Sequence, residues 1–234
     1  MKVLILAAGY ATRLYPLTKD FPKALLEVGH QPIINYIVQK VEDIDAVSEI
    51  IVITNSKFFR LFKTWSLKIK STKKITILDD LTSDVATKRG AIGDLHFAIT
   101  KKKITDDLLV IGGDNLFAES LAGFFSRVRK NKNHPVIGAY DIKDRKAAQH
   151  YGVIQLNSLK RVVSFQEKPK RPRSTLVAMC LYYFPKAKVN LVQQYVDLHE
   201  GRADAVGLYI DWLCSVEPVY GHVLYMRLRN SGQA

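Results

Sequence analysis

Short apolar runs separated by helix-period segments predict an α/β fold built on a doubly wound, mostly parallel sheet. Three observations carry that expectation. Strand-like runs recur at Val3 to Leu6, Glu49 to Thr54, Ile75 to Leu78, Leu108 to Ile111 and Val136 to Tyr140. Between them apolar residues repeat at helical spacing, as in Ile33, Ile34, Ile37, Val38 and Val41, then Phe58, Phe59, Phe62 and Trp65. Ile92, Leu95, Phe97 and Ile99 form a third such stripe, and Leu121, Phe124, Phe125 and Val128 a fourth, each packing one face onto the sheet. After Asp141 the pattern changes. Gly152 to Leu156, a turn at Asn157-Ser158, Val162 to Gln166 and a long apolar run from Leu176 to Phe184 read as an antiparallel extension that roofs a site on the sheet. Helical stretches over Lys188 to His199 and Leu208 to Val216, and a strand near Val219 to Tyr225, complete the reading.

With 234 residues, 47% of them hydrophobic, the chain can bury a full core, and a single domain over residues 1–234 is expected. It contains no apolar run long enough to cross a membrane and no signal-peptide pattern, so the expected location is the cytoplasm. Cys180 and Cys214 lie in apolar segments without C-x-x-C spacing. That suits buried, reduced thiols better than a disulfide or a zinc site. A net charge of +13 raises three classes of anionic partner: nucleic acid, an acidic membrane surface, or small phosphorylated substrates. The basic residues fall in separate clusters, Lys68 to Lys74, Lys101 to Lys103, Arg127 to Lys132 and Lys168 to Arg173, and read as solvated faces and turns. Neither a recognition-helix motif nor a basic surface interleaved with aromatics supports nucleic acid, and no membrane partner is expected.

The chemistry begins where the first strand ends. It breaks into Ala7-Ala8-Gly9-Tyr10-Ala11-Thr12-Arg13-Leu14, and Pro22-Lys23 follows. Small side chains let backbone N–H groups approach phosphate oxygens, while the two cations neutralise charge that the backbone dipoles cannot. Asp114 follows the run Leu108 to Ile111 through two glycines, so its carboxylate is expected at the carboxyl edge of the sheet, where open α/β folds bind ligands. Each feature also has a plain structural reading: a surface Arg, a solvated Lys, an Asp capping a Gly-Gly turn.

Taken together, Leu6 to Leu14, Pro16-Leu17-Thr18, Pro22-Lys23-Ala24-Leu25-Leu26 and Pro32 resemble the signature loop of the sugar-1-phosphate nucleotidyltransferases. The resemblance continues through Arg89-Gly90-Ala91-Ile92-Gly93-Asp94, Gly112-Gly113-Asp114-Asn115, Tyr151-Gly152-Val153 and Phe165-Gln166-Glu167-Lys168-Pro169. In order and spacing it covers about residues 2 to 225, and in overall likeness it is nearest the glucose-1-phosphate thymidylyltransferases. It implies a Rossmann-like domain with a nucleotide-binding half over 1–140, and a sugar-binding half with C-terminal elements over 141–234. The implied reaction joins a nucleoside triphosphate to a sugar 1-phosphate and releases pyrophosphate.

By that resemblance, Ala8, Gly9, Ala11 and Thr12 cradle the triphosphate, Arg13 holds the β and γ phosphates, and Lys23 lies near the α phosphate. Asp114 binds Mg²⁺, which favours one or two carboxylates plus phosphate oxygens. Gly90 contacts base and ribose, and the loop from Asp80 to Arg89 reads the base. Gly152, Glu167 and Lys168 bind the sugar phosphate: the glycine admits the ring, the carboxylate accepts from hydroxyls and the ammonium meets the phosphate. A cross-strand ion pair is the plain reading of Glu167-Lys168.

The sequence also departs from the family. Ala11 stands where Gly is usual, a small cost provided that its φ is negative. Cys180 stands where a Gly commonly precedes the sugar-facing strand, which narrows the pocket. Family members generally carry a second magnesium-binding Asp near the end. Here Arg227 to Gly232 aligns with that stretch and Asn230 replaces the carboxylate, which weakens the metal site. The sequence ends at Ala234, so a short form without a hexapeptide-repeat domain is expected. The expected activity is Mg²⁺-assisted, in-line nucleotidyl transfer, with dTTP or UTP favoured on overall likeness. A nucleotide or nucleotide-sugar binding protein with impaired catalysis and a cytidylyltransferase acting on an alcohol phosphate stay open, as does a homo-oligomeric state.

Overall fold

The computed structural model describes residues 1–199 and 206–225. Its strands are β1 (Lys2–Leu6), β2 (Glu27–Val28), β3 (Gln31–Pro32), β4 (Glu49–Thr54), β5 (Lys74–Asp79), β6 (Leu108–Gly112), β7 (Val136–Asp141), β8 (Gly152–Leu156), β9 (Val162–Glu167), β10 (Leu176–Phe184) and β11 (Tyr220–Leu224). The helices are α1 (Ile33–Glu42), α2 (Ser56–Lys68), α3 (Gly90–Lys102), α4 (Ala122–Lys130), α5 (Arg145–Ala148), α6 (Leu191–Leu198) and α7 (Val206–Val216). Apart from the β2–β3 hairpin, these strands join one sheet in the order β11-β7-β10-β6-β1-β4-β5, with β8 on β10 and β9 on β8.

β1, β4, β5 and β6 run parallel, and every residue of β4 and β6 is buried. Such near-continuous apolar strands are what a sheet covered on both faces requires. Alternate residues divide between two cores. Val3, Ile5, Ile50, Val52, Leu109 and Ile111 face α1, α2 and α4, while Leu4, Ile51, Ile53, Leu108 and Val110 face α3, α6 and α7. The expected stripe of α1 is buried in full, at Ile33, Ile34, Ile37, Val38 and Val41.

Two local readings change, and one small element is added. β7 keeps the direction of the parallel strands, but β10 is inserted between it and β6, antiparallel to both; only β8 and β9 extend off it. The stretch expected as one helix from Lys188 is a 3₁₀ turn at Lys186–Lys188 followed by α6. The small β2–β3 hairpin turns through Gly29 at φ +68°, which glycine supplies without a steric penalty. Among the described residues no helix is long and apolar enough to cross a membrane.

Candidate active site

In register, Leu6 lies opposite both Ile53 of β4 and Gly112 of β6, so the parallel strands finish at one level. The segments that follow β1, β5 and β6 therefore meet at the carboxyl edge, where they enclose a cavity of about 560 Å³, a size that takes a small-molecule ligand. Ala8, Gly9, Ala11, Thr12, Arg13, Lys23, Gly90 and Asp114 all line it. The structure thus gathers the nucleotide-end residues expected from sequence onto one concave surface.

The loop after β1 is held from beneath. Buried Asn55 donates from Nδ2 to the Ala8 carbonyl (2.8 Å) and accepts the Phe58 N–H on Oδ1 (3.0 Å), which caps α2 and pins the loop with one side chain. Buried Thr18 donates its hydroxyl to the Ala11 carbonyl at 2.8 Å. Ala11 itself sits at φ +48°, ψ +40° as the chain turns into the 3₁₀ segment Thr12–Leu14. The condition under which its methyl is cheap, a negative φ, is not met. Ala11 occupies the left-handed region, which disfavours any residue with a Cβ.

Asp114 is delivered by a backbone contact that only glycine permits. A methyl at Gly113 would lie 2.9 Å from the Leu6 carbonyl oxygen and 3.1 Å from the Ala7 Cβ, while the Gly113 N–H donates to that same oxygen at 2.8 Å. Lys23 follows Pro22, whose backbone is extended (φ −75°, ψ 139°), and opens a 3₁₀ turn. Its Nζ lies 2.6 Å from Asp114 Oδ2, with both side chains partly open to solvent. Arg13 is exposed on the cavity, with no ion pair among the described residues.

Two acids of the wall belong to stretches that the sequence marked, the loop from Asp80 and the motif ending at Asp94, but neither was expected to act as an individual residue. Asp80 and Asp94 are 1% and 6% exposed and line the cavity together. Asp80 accepts the Thr82 N–H (2.7 Å) and hydroxyl (2.8 Å). Burial, then the Asp80 charge and the hydrogen bond with it, push the Asp94 carboxyl up to about 8 against the opposing pull of Arg89. Burial also raises Asp80, although the Thr82 hydrogen bonds resist it, so the pair retains a proton at neutral pH. Asp94 Oδ1 and the Tyr10 hydroxyl are buried without a hydrogen-bond partner among the described residues. A signal existed: Asp94 shares the buried face of α3 with Leu95 and Ala98, where a carboxylate is out of place. Arg89, by contrast, is engaged. Its Nε donates to the Asp80 carbonyl at 2.6 Å and its guanidinium stacks 4.4 Å from the Phe97 ring centroid.

Cys180 lies within β10, where the register against β7 shifts between Ala178 and Tyr182. Its carbonyl accepts from Asn115 Nδ2 at 2.8 Å, which ties the turn after β6 to the inserted strand. The thiol lines the cavity. Burial, reinforced by the Asp114 charge, pushes it up to about 12, so it stays neutral.

Gly152, Glu167 and Lys168 form a separate group outside that lining. Gly152 pairs with Glu167 across β8 and β9, Lys168 Nζ lies 3.4 Å from Glu167 Oε1, and Lys168 has φ +44°. β10 links the two groups: it pairs with β6 through Leu181–Phe184 and with β8 at Val177. Asn230 lies outside the described residues.

The carboxyl edge of this doubly wound sheet thus brings a small-residue loop, two cations and a glycine-delivered carboxylate to one concave surface, the edge at which open α/β folds bind ligands. The chain belongs to the nucleotidyl transferase family, whose model matches residues 2–214. It is 31% identical to the bifunctional protein GlmU of Methanocaldococcus jannaschii over 83% of this chain and 42% of that protein. It is 29% identical to a glucose-1-phosphate thymidylyltransferase of Neisseria meningitidis over 83% of this chain and 65% of that protein. It is also 29% identical to the UTP–glucose-1-phosphate uridylyltransferase AglF of Haloferax volcanii, over 80% and 73%. The chain thus spans less than half the length of the GlmU relative. Its fold matches the solved structure of a candidate glucose-1-phosphate thymidylyltransferase from Bacillus anthracis in complex with sucrose. The TM-score is 0.77 at 20% identity, over 96% of this chain and 87% of that one.

Proposed function

We propose that the protein transfers a nucleotidyl group from a nucleoside triphosphate to a sugar 1-phosphate, with residues 1–140 serving the nucleotide, residues 141–234 the sugar, and the cytoplasm as its location. The observation that carries this reading is the convergence of Arg13, Lys23 and Asp114 on one cavity, with Lys23 and Asp114 in direct contact across 91 residues of sequence. The names of relatives that act on glucose 1-phosphate with thymidylyl or uridylyl donors support dTTP or UTP as the donor.

In this reading the amides of Ala8 to Thr12 hold the triphosphate, and Gly90 with the segment from Asp80 receives the nucleoside. A phosphate oxygen of the sugar 1-phosphate attacks the α phosphorus in line. The new O–P bond forms as the bond to the bridging oxygen of pyrophosphate breaks, and the leaving group carries its electron pair away. Arg13 meets the charge that grows on pyrophosphate, and Lys23 the charge that shifts at the α phosphate. No general base is required, because the attacking oxygen is already anionic at neutral pH. The barrier falls through positioning and charge. Glu167 accepts hydrogen bonds from sugar hydroxyls and Lys168 meets the sugar phosphate.

Magnesium fits one feature of this wall. The Asp114 carboxylate opens onto the cavity and already holds a cationic group, Lys23 Nζ, at 2.6 Å. The described residues contain no cluster of three or more His, Cys, Asp or Glu, and a hard cation held by one carboxylate plus substrate oxygens suits that donor set. When bound, such an ion would neutralise phosphate charge.

Pyrophosphate release from a panel of dTTP, UTP, GTP, CTP and ATP against glucose 1-phosphate and mannose 1-phosphate tests the reading. Turnover with one or two pairs supports it. No pyrophosphate with any pair, together with no thermal shift from any triphosphate, rejects it. The substitution at Asn230 keeps a second reading alive, binding with poor turnover. Turnover that rises strongly in Asn230→Asp would favour it.

A further inference from the structure

Gly207 is the second residue of α7 and is buried, and a glycine within a helical pattern calls for a packing reason. Its φ is not among the positive ones, so backbone conformation does not demand glycine. The reason lies across the gap to β9. A methyl at Gly207 would stand 1.7 Å from Glu167 Oε2 and 2.5 Å from its Cδ. A methyl at Gly152, the cross-strand partner of Glu167, would stand 3.2 Å from the same Oε2 but only 2.5 Å from the Phe165 ring, so at Gly152 it is chiefly that ring which needs the space. The Glu167 carboxylate therefore occupies the space that a side chain at Gly207 would fill.

α7 cannot withdraw to widen that space. Tyr209, Ile210 and Leu213 are 0% exposed and pack in the same core as Ile154, Val162 and Phe165 of β8 and β9. Close-packed interiors transmit such a collision to whatever can move, and here that is the flexible end of the glutamate. We infer that Gly207 is a positioning residue for the sugar end of the site: its missing side chain sets where Glu167 points, and the first turn of α7 thereby fixes the carboxylate that meets sugar hydroxyls. This inference rests on the proposed role of Glu167.

Steady-state pyrophosphate release with the best pair from the panel tests it in Gly207→Ala, Glu167→Asp, Glu167→Ala and the two double variants, alongside thermal melting. In Gly207→Ala the KM for the sugar 1-phosphate rises about tenfold or more, since displacing one group by an ångström is felt at that scale, while the KM for the triphosphate stays within about twofold. Adding Glu167→Asp retracts the carboxylate by one methylene and lowers the raised KM. Adding Glu167→Ala removes the collision, so that double variant melts above Gly207→Ala, a coupling that a cycle isolates. The melting comparison also decides the matter if Gly207→Ala folds poorly, because only relief by Glu167→Ala identifies the contact as the cause. An unchanged sugar-phosphate KM in Gly207→Ala, or Glu167 changes that relieve neither KM nor melting, overturns the inference alone. A wild type that releases no pyrophosphate overturns the transferase reading and this inference with it.

Discussion

Glu49 at the amino end of β4 and Asp94 in α3 beside the carboxyl edge are almost equally excluded from water, 5% and 6% exposed, yet their surroundings differ completely. Around Glu49 stand Lys2 at 3.0 Å, Lys74 at 3.5 Å and Lys102 at 3.7 Å, with the Thr76 hydroxyl at 2.6 Å. Burial alone would raise that carboxyl, but the hydrogen bonds from Thr76 and Lys2 and the lysine charges outweigh it and hold it at about 2. Asp94 faces another acid, keeps one oxygen unpartnered and is pushed up to about 8, first by burial and then by Asp80. One edge of the sheet completes its electrostatics internally. The other leaves acceptors and cations for something else to complete, an imbalance that marks functional sites more often than structural ones.

The sharpest way to break this comparison is to exchange the expected roles of the two edges. Lys23→Ala or Asp114→Ala is expected to lower pyrophosphate release by about 10²-fold or more, the scale for removing one preorganised charge from a phosphoryl-transfer site. Stability barely moves, since both side chains are more than a third exposed (38% and 47%) and such pairs contribute about 0–1 kcal/mol. Glu49→Gln is expected to do the reverse. It leaves three partly exposed lysines around a neutral group (26%, 70% and 28% exposed) and costs about 1–2 kcal/mol, the scale of a lost charge-assisted hydrogen bond whose partners water still reaches, with turnover unchanged. Urea denaturation beside the pyrophosphate assay reads both. Loss of turnover in Glu49→Gln at full occupancy of the folded state would erase the distinction between the edges.

The pH dependence of stability has opposite signs at the two ends. Glu49 is depressed from 4.5 to about 2, so its contribution is fully present above pH 4.5 and is lost as pH falls toward 2. Asp94 is raised from 3.8 to about 8, so the folded state binds the extra proton between those values and stability declines as pH rises through that window. The slope is at most about 1.4 kcal/mol per pH unit for one group. The facing groups are Asp80, Arg89 and Tyr10, with Asp79 and Asp84 acting on Asp80 and Tyr10. Asp94→Asn keeps the shape of the neutral acid, and its urea midpoint is expected to exceed the wild type's above about pH 6 and to flatten with pH. A midpoint that tracks the wild type across that range would remove Asp94 from the comparison.

In the parallel half, Arg13 and Asp114 were legible because they follow closely on strand ends, whereas Lys23 and Gly90 lie too far beyond β1 and β5 for an offset to place them. The run Leu108 to Ile111 and the two glycines after it place Asp114 at the carboxyl edge whatever the loops do, and the same logic places Arg13 after β1. Topology beyond Asp141 was less legible. Nothing in the run Leu176 to Phe184 says that it enters between β6 and β7 rather than beside them, because a strand buried on both faces reads alike in either place. The Asp80–Asp94 pair joins residues from a loop and a helix face, and Glu167 meets Gly207 across 40 residues of sequence. Such contacts have no local spacing to announce them. Ala11 was read at its identity alone, and its conformation came from the turn it has to make.

That turn supplies the smallest effect. Ala11 adopts φ +48° with its carbonyl accepting from both Thr18 and Leu14, so the loop holds it in the left-handed region. There an L residue is penalised by about 1–2 kcal/mol. Ala11→Gly removes that penalty but also gives the unfolded chain more freedom, an opposing effect of about 0.4–1 kcal/mol. A net gain of up to about 1 kcal/mol in urea denaturation is expected, since strain at a positive φ outweighs the entropy difference. Turnover should change little, because in the proposed reading the loop offers the same amides in both. A fall in the midpoint would mean that residue 11 is unstrained in solution, so that holding it at a positive φ costs this loop nothing.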